Sequence, residues 1–109
     1  MPRLHRDEVE VDAALAGVLV AGQFPRWAGL PLRRVASTGT DNVVFRLGHD
    51  LALRLPRVHW AVAQVDREWS WLPRLAPHLP VPVPVPVARG GPGAGYPYPW
   101  LVSRWVEGC

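Results

Sequence analysis

Residues 37–56 read STGTDNVVFRLGHDLALRLP, and this stretch decides the fold. Two apolar runs, Val43 to Leu47 and Leu51 to Leu55, flank Gly48-His49-Asp50. Apolar runs joined by a short Gly-containing turn predict a β-hairpin. Successive strand side chains point to opposite faces, so Leu51, Leu53 and Leu55 share one face and Ala52 and Arg54 the other. A small residue and a guanidinium therefore stand side by side on one surface. Immediately upstream, Ser37 to Asn42 form a polar, turn-rich hexapeptide.

Upstream of that loop, Leu30 to Ala36 read as an irregular lead-in and a short strand. A helix is expected from Asp12, whose carboxylate suits an N-cap. Val11, Leu15, Val18 and Leu19 fall on one face at helical spacing, and Gly22, Phe24 and Pro25 end the helix. Downstream of the hairpin, Trp60 to Leu72 read as a second helix with Ala61, Val65, Trp69 and Leu72 on one stripe. Pro73 is expected to break or restart it, with Leu75 and Ala76 in a short extra turn. Glu68 falls on the flank of the stripe between Leu72 and Leu75, where a carboxylate is costly unless a cation meets it.

Nine of the 13 prolines lie between Pro73 and Pro99, and Pro80 to Val87 alternate strictly as Pro-Val. Every second residue there lacks an N–H, which excludes a central strand and leaves polyproline II or a sheet edge. A Gly-rich loop, Arg89 to Gly95, leads to a last apolar run, Trp100 to Val106, that reads as a strand. The order is helix, three strands, helix, proline-rich edge segment, strand. The fold class is α+β, a small, mostly antiparallel sheet with two main helices.

The 109 residues suit one domain, with 49% hydrophobic residues to support a core. All 12 basic residues are Arg, scattered among 9 acids for a net +3, which makes no basic stripe. Nucleic-acid binding is therefore not expected. The single cysteine, Cys109, fits a reducing cytosol and precludes an internal disulfide. Met1 to Asp12 lack the apolar segment of a signal peptide, and no apolar run is long enough to span a bilayer, so a soluble, cytoplasmic protein with no membrane partner is expected. His5, His49, His59 and His78 show no metal-ligand spacing. Gly91-Pro92-Gly93-Ala94-Gly95 is followed by Tyr96-Pro97-Tyr98-Pro99, which cannot open a helix, so it is not a dinucleotide fingerprint. The six tryptophans are expected mostly in the core or under a further lobe. The acidic run Asp7, Glu8 and Glu10 reads as a solvated face.

Taken in order, the polar loop STGTDN, then VFRL, LALRLPR, DREWSWLPRL, PVP and RWVEG resemble the aminoglycoside phosphotransferase family, which includes relatives of choline and homoserine kinases. The resemblance implies a protein-kinase-like N-terminal lobe over residues 11–109, behind a tail of residues 1–10. It makes Ser37, Thr38, Gly39, Thr40 and Asn42 the loop over the phosphates of ATP or GTP. Arg54 takes the place of the strand lysine that meets the α- and β-phosphates, and Glu68 that of its helix partner. Ala52 leaves room for the base, Val44 and Val102 line that apolar slot, and Arg104, Trp105 and Val106 belong to the hinge whose backbone reads the base edge.

Two departures stand out. Arg54 keeps the lysine's charge but is longer, planar and not equivalent. The family's catalytic-loop Asp and Asn and its Mg2+-binding Asp have no counterpart in these residues, so no catalytic or metal-binding residue is expected here. The small hydroxyl-bearing acceptor, like the magnesium, is expected to require the C-terminal lobe. A second reading is a non-catalytic interaction module, or an inactive fragment, that uses the proline-rich segment or an exposed cleft to bind a partner.

Overall fold

The computed structural model describes residues 9–35 and 41–106. Helix α1 spans Ala13–Gln23, and Asp12 caps it by accepting a hydrogen bond from Leu15 N at 2.8 Å. Helix α1 lies over one face of a five-stranded sheet: β1 Leu32–Arg34, β2 Asn42–Leu47, β3 Leu51–Pro56, β4 Pro86–Gly90 and β5 Trp100–Arg104. The strand order is β1-β2-β3-β5-β4, and every neighbouring pair is antiparallel. Helix α2, Val62–Leu75, connects β3 to β4 and covers the other face beside β4 and β5.

Register sorts the side chains. Val43, Phe45 and Leu47 stand opposite Leu55, Leu53 and Leu51, and Leu53 stands opposite Val102. These residues face Ala16, Leu19 and Val20 of α1 and make the main core with Trp100 and Tyr96. Burying such side chains stabilises the fold by about 1.5–3 kcal/mol each against exposure. On the opposite face Val58, Ala61, Val65 and Leu101 are buried beneath α2. Burial also pushes the Tyr96 phenol well above its ordinary pKa, so it stays protonated and donates to Pro56 O at 2.6 Å.

Three expectations need correction. Val18 is exposed, and the buried α1 positions are Ala16, Leu19 and Val20, because the helix turns this stripe toward the sheet. Pro73 does not break α2, which runs on to Leu75. The one bond Pro73 cannot make is to Trp69 O, and both residues are exposed, so the loss is tolerated in the last turn. Trp69 is 38% exposed and not part of a buried stripe. Among the tryptophans only Trp100 is fully buried, whereas Trp60, Trp69 and Trp71 are exposed.

The Pro-Val tract resolves as an edge. Pro86 enters β4 opposite Ser103, a bulge follows, and Val85 O accepts from Arg104 N at 3.0 Å. The Gly-rich segment is a tight reversal, with Gly93 and Tyr96 exchanging backbone hydrogen bonds at 3.0 and 2.7 Å. Ala94 and Gly95 take φ of 50° and 85° there, a turn between antiparallel segments and not the mouth of a helix. Asp12→Ala is expected to cost about 1 kcal/mol by orphaning an N-terminal amide of α1. A thermal melt should register this as a fall in Tm of roughly 4–8 °C.

Candidate functional site

The surface of interest is the sheet face opposite α1. Cross-strand pairing places Val44 beside Arg54 and Arg46 beside Ala52, and continues the face to Leu101 and Ser103 of β5. Helix α2 shields the β4 and β5 side, while Val44, Ala52 and Arg54 stay half-buried. Two ion pairs tie the helix to the sheet. Asp66 accepts from Arg89 Nη2 at 2.7 Å on the outer side, and Glu68 Oε1 accepts from Arg54 Nη2 on the inner side.

The Arg54–Glu68 contact is the encounter that the family resemblance implies, and its setting gives it meaning. The two side chains keep only 26% and 22% of their surface in water. Glu68 occupies one arm of the guanidinium, yet Arg54 Nε is buried and has no partner. Asn42 Oδ1, on the same face at the mouth of the β1–β2 connection, is likewise buried and unpartnered, as is Trp105 Nε1. Buried polar atoms left unsatisfied are rare and call for a cause. A guanidinium held by one arm keeps further N–H donors of the kind that recognise an anion.

Ser37, Thr38, Gly39 and Thr40 lie outside the described residues. Their flanks are fixed: Val35 N donates to Val44 O at 2.9 Å and Arg57 N to Asp41 O at 2.7 Å. At that end of the sheet Asn42 stands opposite Pro56.

One of the residues expected to line the slot turns away. Val102 stands opposite Leu53, on the α1 face, with no exposed surface, so it cannot line a slot with Val44. Leu101 and Ser103 are the β5 residues on the Val44 face. Arg104 stands opposite Leu51, so its guanidinium also leaves on the α1 side. Its backbone N–H serves Val85 O, and that of Trp105 serves Asp50 O at 2.8 Å. The amides of Arg104 and Trp105 are thus engaged within the sheet and its turn.

Arg46 was missed by the sequence reading. Its Nε and Nη2 donate to His49 O at 3.1 and 2.7 Å, and its guanidinium lies 4.5 Å from the Trp105 ring centroid. It therefore ties Trp105, just past β5, to the β2–β3 turn. Its position two residues after Val44, on the same face, was the available signal.

Residues 32–108, from β1 through the hinge, match the family model described as the phosphotransferase enzyme family. The chain belongs to that family. Among solved structures, a GDP complex of wild-type aminoglycoside 2′-phosphotransferase-IIIa superposes with a TM-score of 0.79 at 21% identity, over 91% of this chain and 32% of that one. A GDP complex of a point mutant of the same enzyme gives 0.79 at 20% identity over 90% and 32% of the two chains. A GDP and kanamycin complex of APH(2″)-IIIa gives 0.75 at 22% identity over 86% and 31%. No curated protein matches the chain at a significant level. The chain thus spans about a third of the length of these structures, and its five-stranded antiparallel sheet with two helices has the α+β fold of a kinase-like N-terminal lobe. No described helix is long and apolar enough to cross a membrane.

Proposed function

We propose that this chain is the nucleotide-binding lobe of a small-molecule kinase that transfers the γ-phosphoryl group of ATP or GTP to a hydroxyl. The carrying observation is the half-buried Arg54, held by Glu68 with its Nε unpartnered, on the same face as Val44 and Ala52. Those two small apolar side chains leave room for a flat base. Arg54 would neutralise the α- and β-phosphate oxygens, and Glu68 would hold its guanidinium in place, so the contribution of these residues is positioning and charge stabilisation. The loop of Ser37, Thr38, Gly39 and Thr40, with Asn42 at its foot, would cover the phosphates.

The orphaned donor fits an anionic cofactor. Among the described residues no cluster of three or more His, Cys, Asp or Glu could hold a metal, so Mg2+ accompanying the nucleotide would be held by other residues. The same holds for the hydroxyl-bearing acceptor and its base. The GDP complexes of the structural neighbours support nucleotide as the ligand class.

The competing reading, a proline-rich peptide ligand, fits the residues less well. Polyproline II repeats every three residues, whereas Pro80, Pro82, Pro84 and Pro86 recur every two. Successive prolines therefore point in three directions, and Pro86 is buried in the sheet edge.

Calorimetric titration of the 109-residue chain with ATP and with GTP tests the proposal. Saturable binding of at least one is expected. Arg54→Ala should weaken it by about 10- to 100-fold, which matches the roughly 1.5–3 kcal/mol of a charge-assisted hydrogen bond. An unchanged affinity would remove Arg54 from the site.

A further inference from the structure

Arg104, which register turns away from the nucleotide face, lines a groove of about 500 Å3 at the far end of the α1 face. Leu47 and Leu51 make its floor, and Trp27, Leu30 and Val87 its walls. Leu30 and Val87 are 40% and 37% exposed, so apolar surface stands open to water on both sides. No carboxylate among the described residues lies within ion-pair distance of Arg104. The nearest acid on the rim, Asp50, is engaged by His49 Nδ1 at 2.9 Å. That hydrogen bond holds the Asp50 carboxyl below its ordinary pKa, aided by the charges of His49, Arg104 and Arg46.

We propose that this groove binds a small aromatic carboxylate, its ring against Trp27 and the leucines and its carboxylate on Arg104. The site lies outside the nucleotide face and does not depend on that assignment. Three features select this class. The volume suits a compact ligand with a one- or two-ring body. Trp27, whose ring also meets Phe24 at 5.2 Å and the Arg26 guanidinium at 4.3 Å, adds aromatic surface to the groove, which suits a flat partner. The guanidinium matches a carboxylate with two parallel hydrogen bonds, while the neighbouring Asp50 carboxylate opposes a doubly charged phosphate and favours a monoanion.

An amide-resolved NMR titration of the 109-residue chain with 3-phenylpropanoate tests this. Saturable shifts are expected at Leu47, Leu51, Val87 and Arg104, with Val65 on the opposite face unmoved. The neutral isostere 3-phenylpropan-1-ol should bind at least tenfold more weakly, and R104Q should lose at least tenfold in affinity for the acid. L30E, which sets a carboxylate in the wall at an exposed position, should abolish binding while preserving the melting transition, and it serves if R104Q does not fold. The proposal is overturned by the absence of saturable shifts at millimolar acid, by shifts confined to other surfaces, by equal binding of the alcohol, or by wild-type affinity in both variants.

Discussion

Gly90→Ala is expected to lower the melting temperature by more than 10 °C or to abolish the cooperative transition. Gly90 stands opposite Trp100 in the β4–β5 pair, and a Cβ built on it lands on Trp100 Cε2 and Cζ2 and within 2.5 Å of Nε1. The indole has nowhere to go. It is fully buried, its Nε1 donates to Gly91 O at 2.9 Å, and its ring meets Phe24 edge to face at 5.6 Å. The Gln23 side chain closes the corner, donating to Gly91 O and accepting from Gly91 N, each at 2.8 Å. Overpacking a tight core costs typically about 1–3 kcal/mol, and more where the obstructing group is rigid. In a domain this size each kcal/mol moves Tm by roughly 4–8 °C. A double-mutant cycle supplies the check. W100L should cost less in the Gly90→Ala background than in the wild type, since one smaller side chain relieves the other's clash. Strict additivity would show that the strain lies elsewhere.

That contact was illegible in the sequence for a physical reason. A Gly in a Gly-rich run and a Trp ten residues later carry no local sign that one makes room for the other, because shape fit across two strands is a property of register. The hairpin of β2 and β3, by contrast, is written locally in a period of two and a short turn, and it formed where expected. The Arg54–Glu68 pair was legible through the family resemblance, supported by the place of Glu68 on the flank of an apolar stripe, where a carboxylate needs a counter-charge. Val102 was placed on the wrong face because alternation along β5 gives two sets of residues without saying which set α2 covers. Pairing with β3 decides that: Leu53 with Val102, Arg54 with Leu101. Val18 and Trp69 failed similarly, since an apolar stripe broader than the contact it makes leaves its margin in water.

The charge-swapped pair Arg54→Glu with Glu68→Arg should recover the stability lost in either single variant without recovering nucleotide affinity. Glu68→Arg alone sets two guanidiniums together between α2 and β3, at sites that retain about a quarter of their exposure. Breaking a pair so placed costs more than the 0.2–1 kcal/mol typical of open surface pairs and less than the 3–5 kcal/mol of fully buried ones. A loss of about 2 kcal/mol, or a Tm lower by roughly 8–16 °C, is expected. Exchanging the charges restores attraction across the same gap, so the melt should return most of the way. Binding will not follow, because the exchange puts a carboxylate on β3 beside Val44 and Ala52, where an anionic phosphate chain would lie, and moves the cation onto α2. An ion pair that only pins α2 to the sheet would give a different result: calorimetry would show nucleotide affinity rising and falling in step with Tm across all four proteins. Divergence of the two readouts in the swapped protein separates a guanidinium that meets the nucleotide from one that merely fastens the helix.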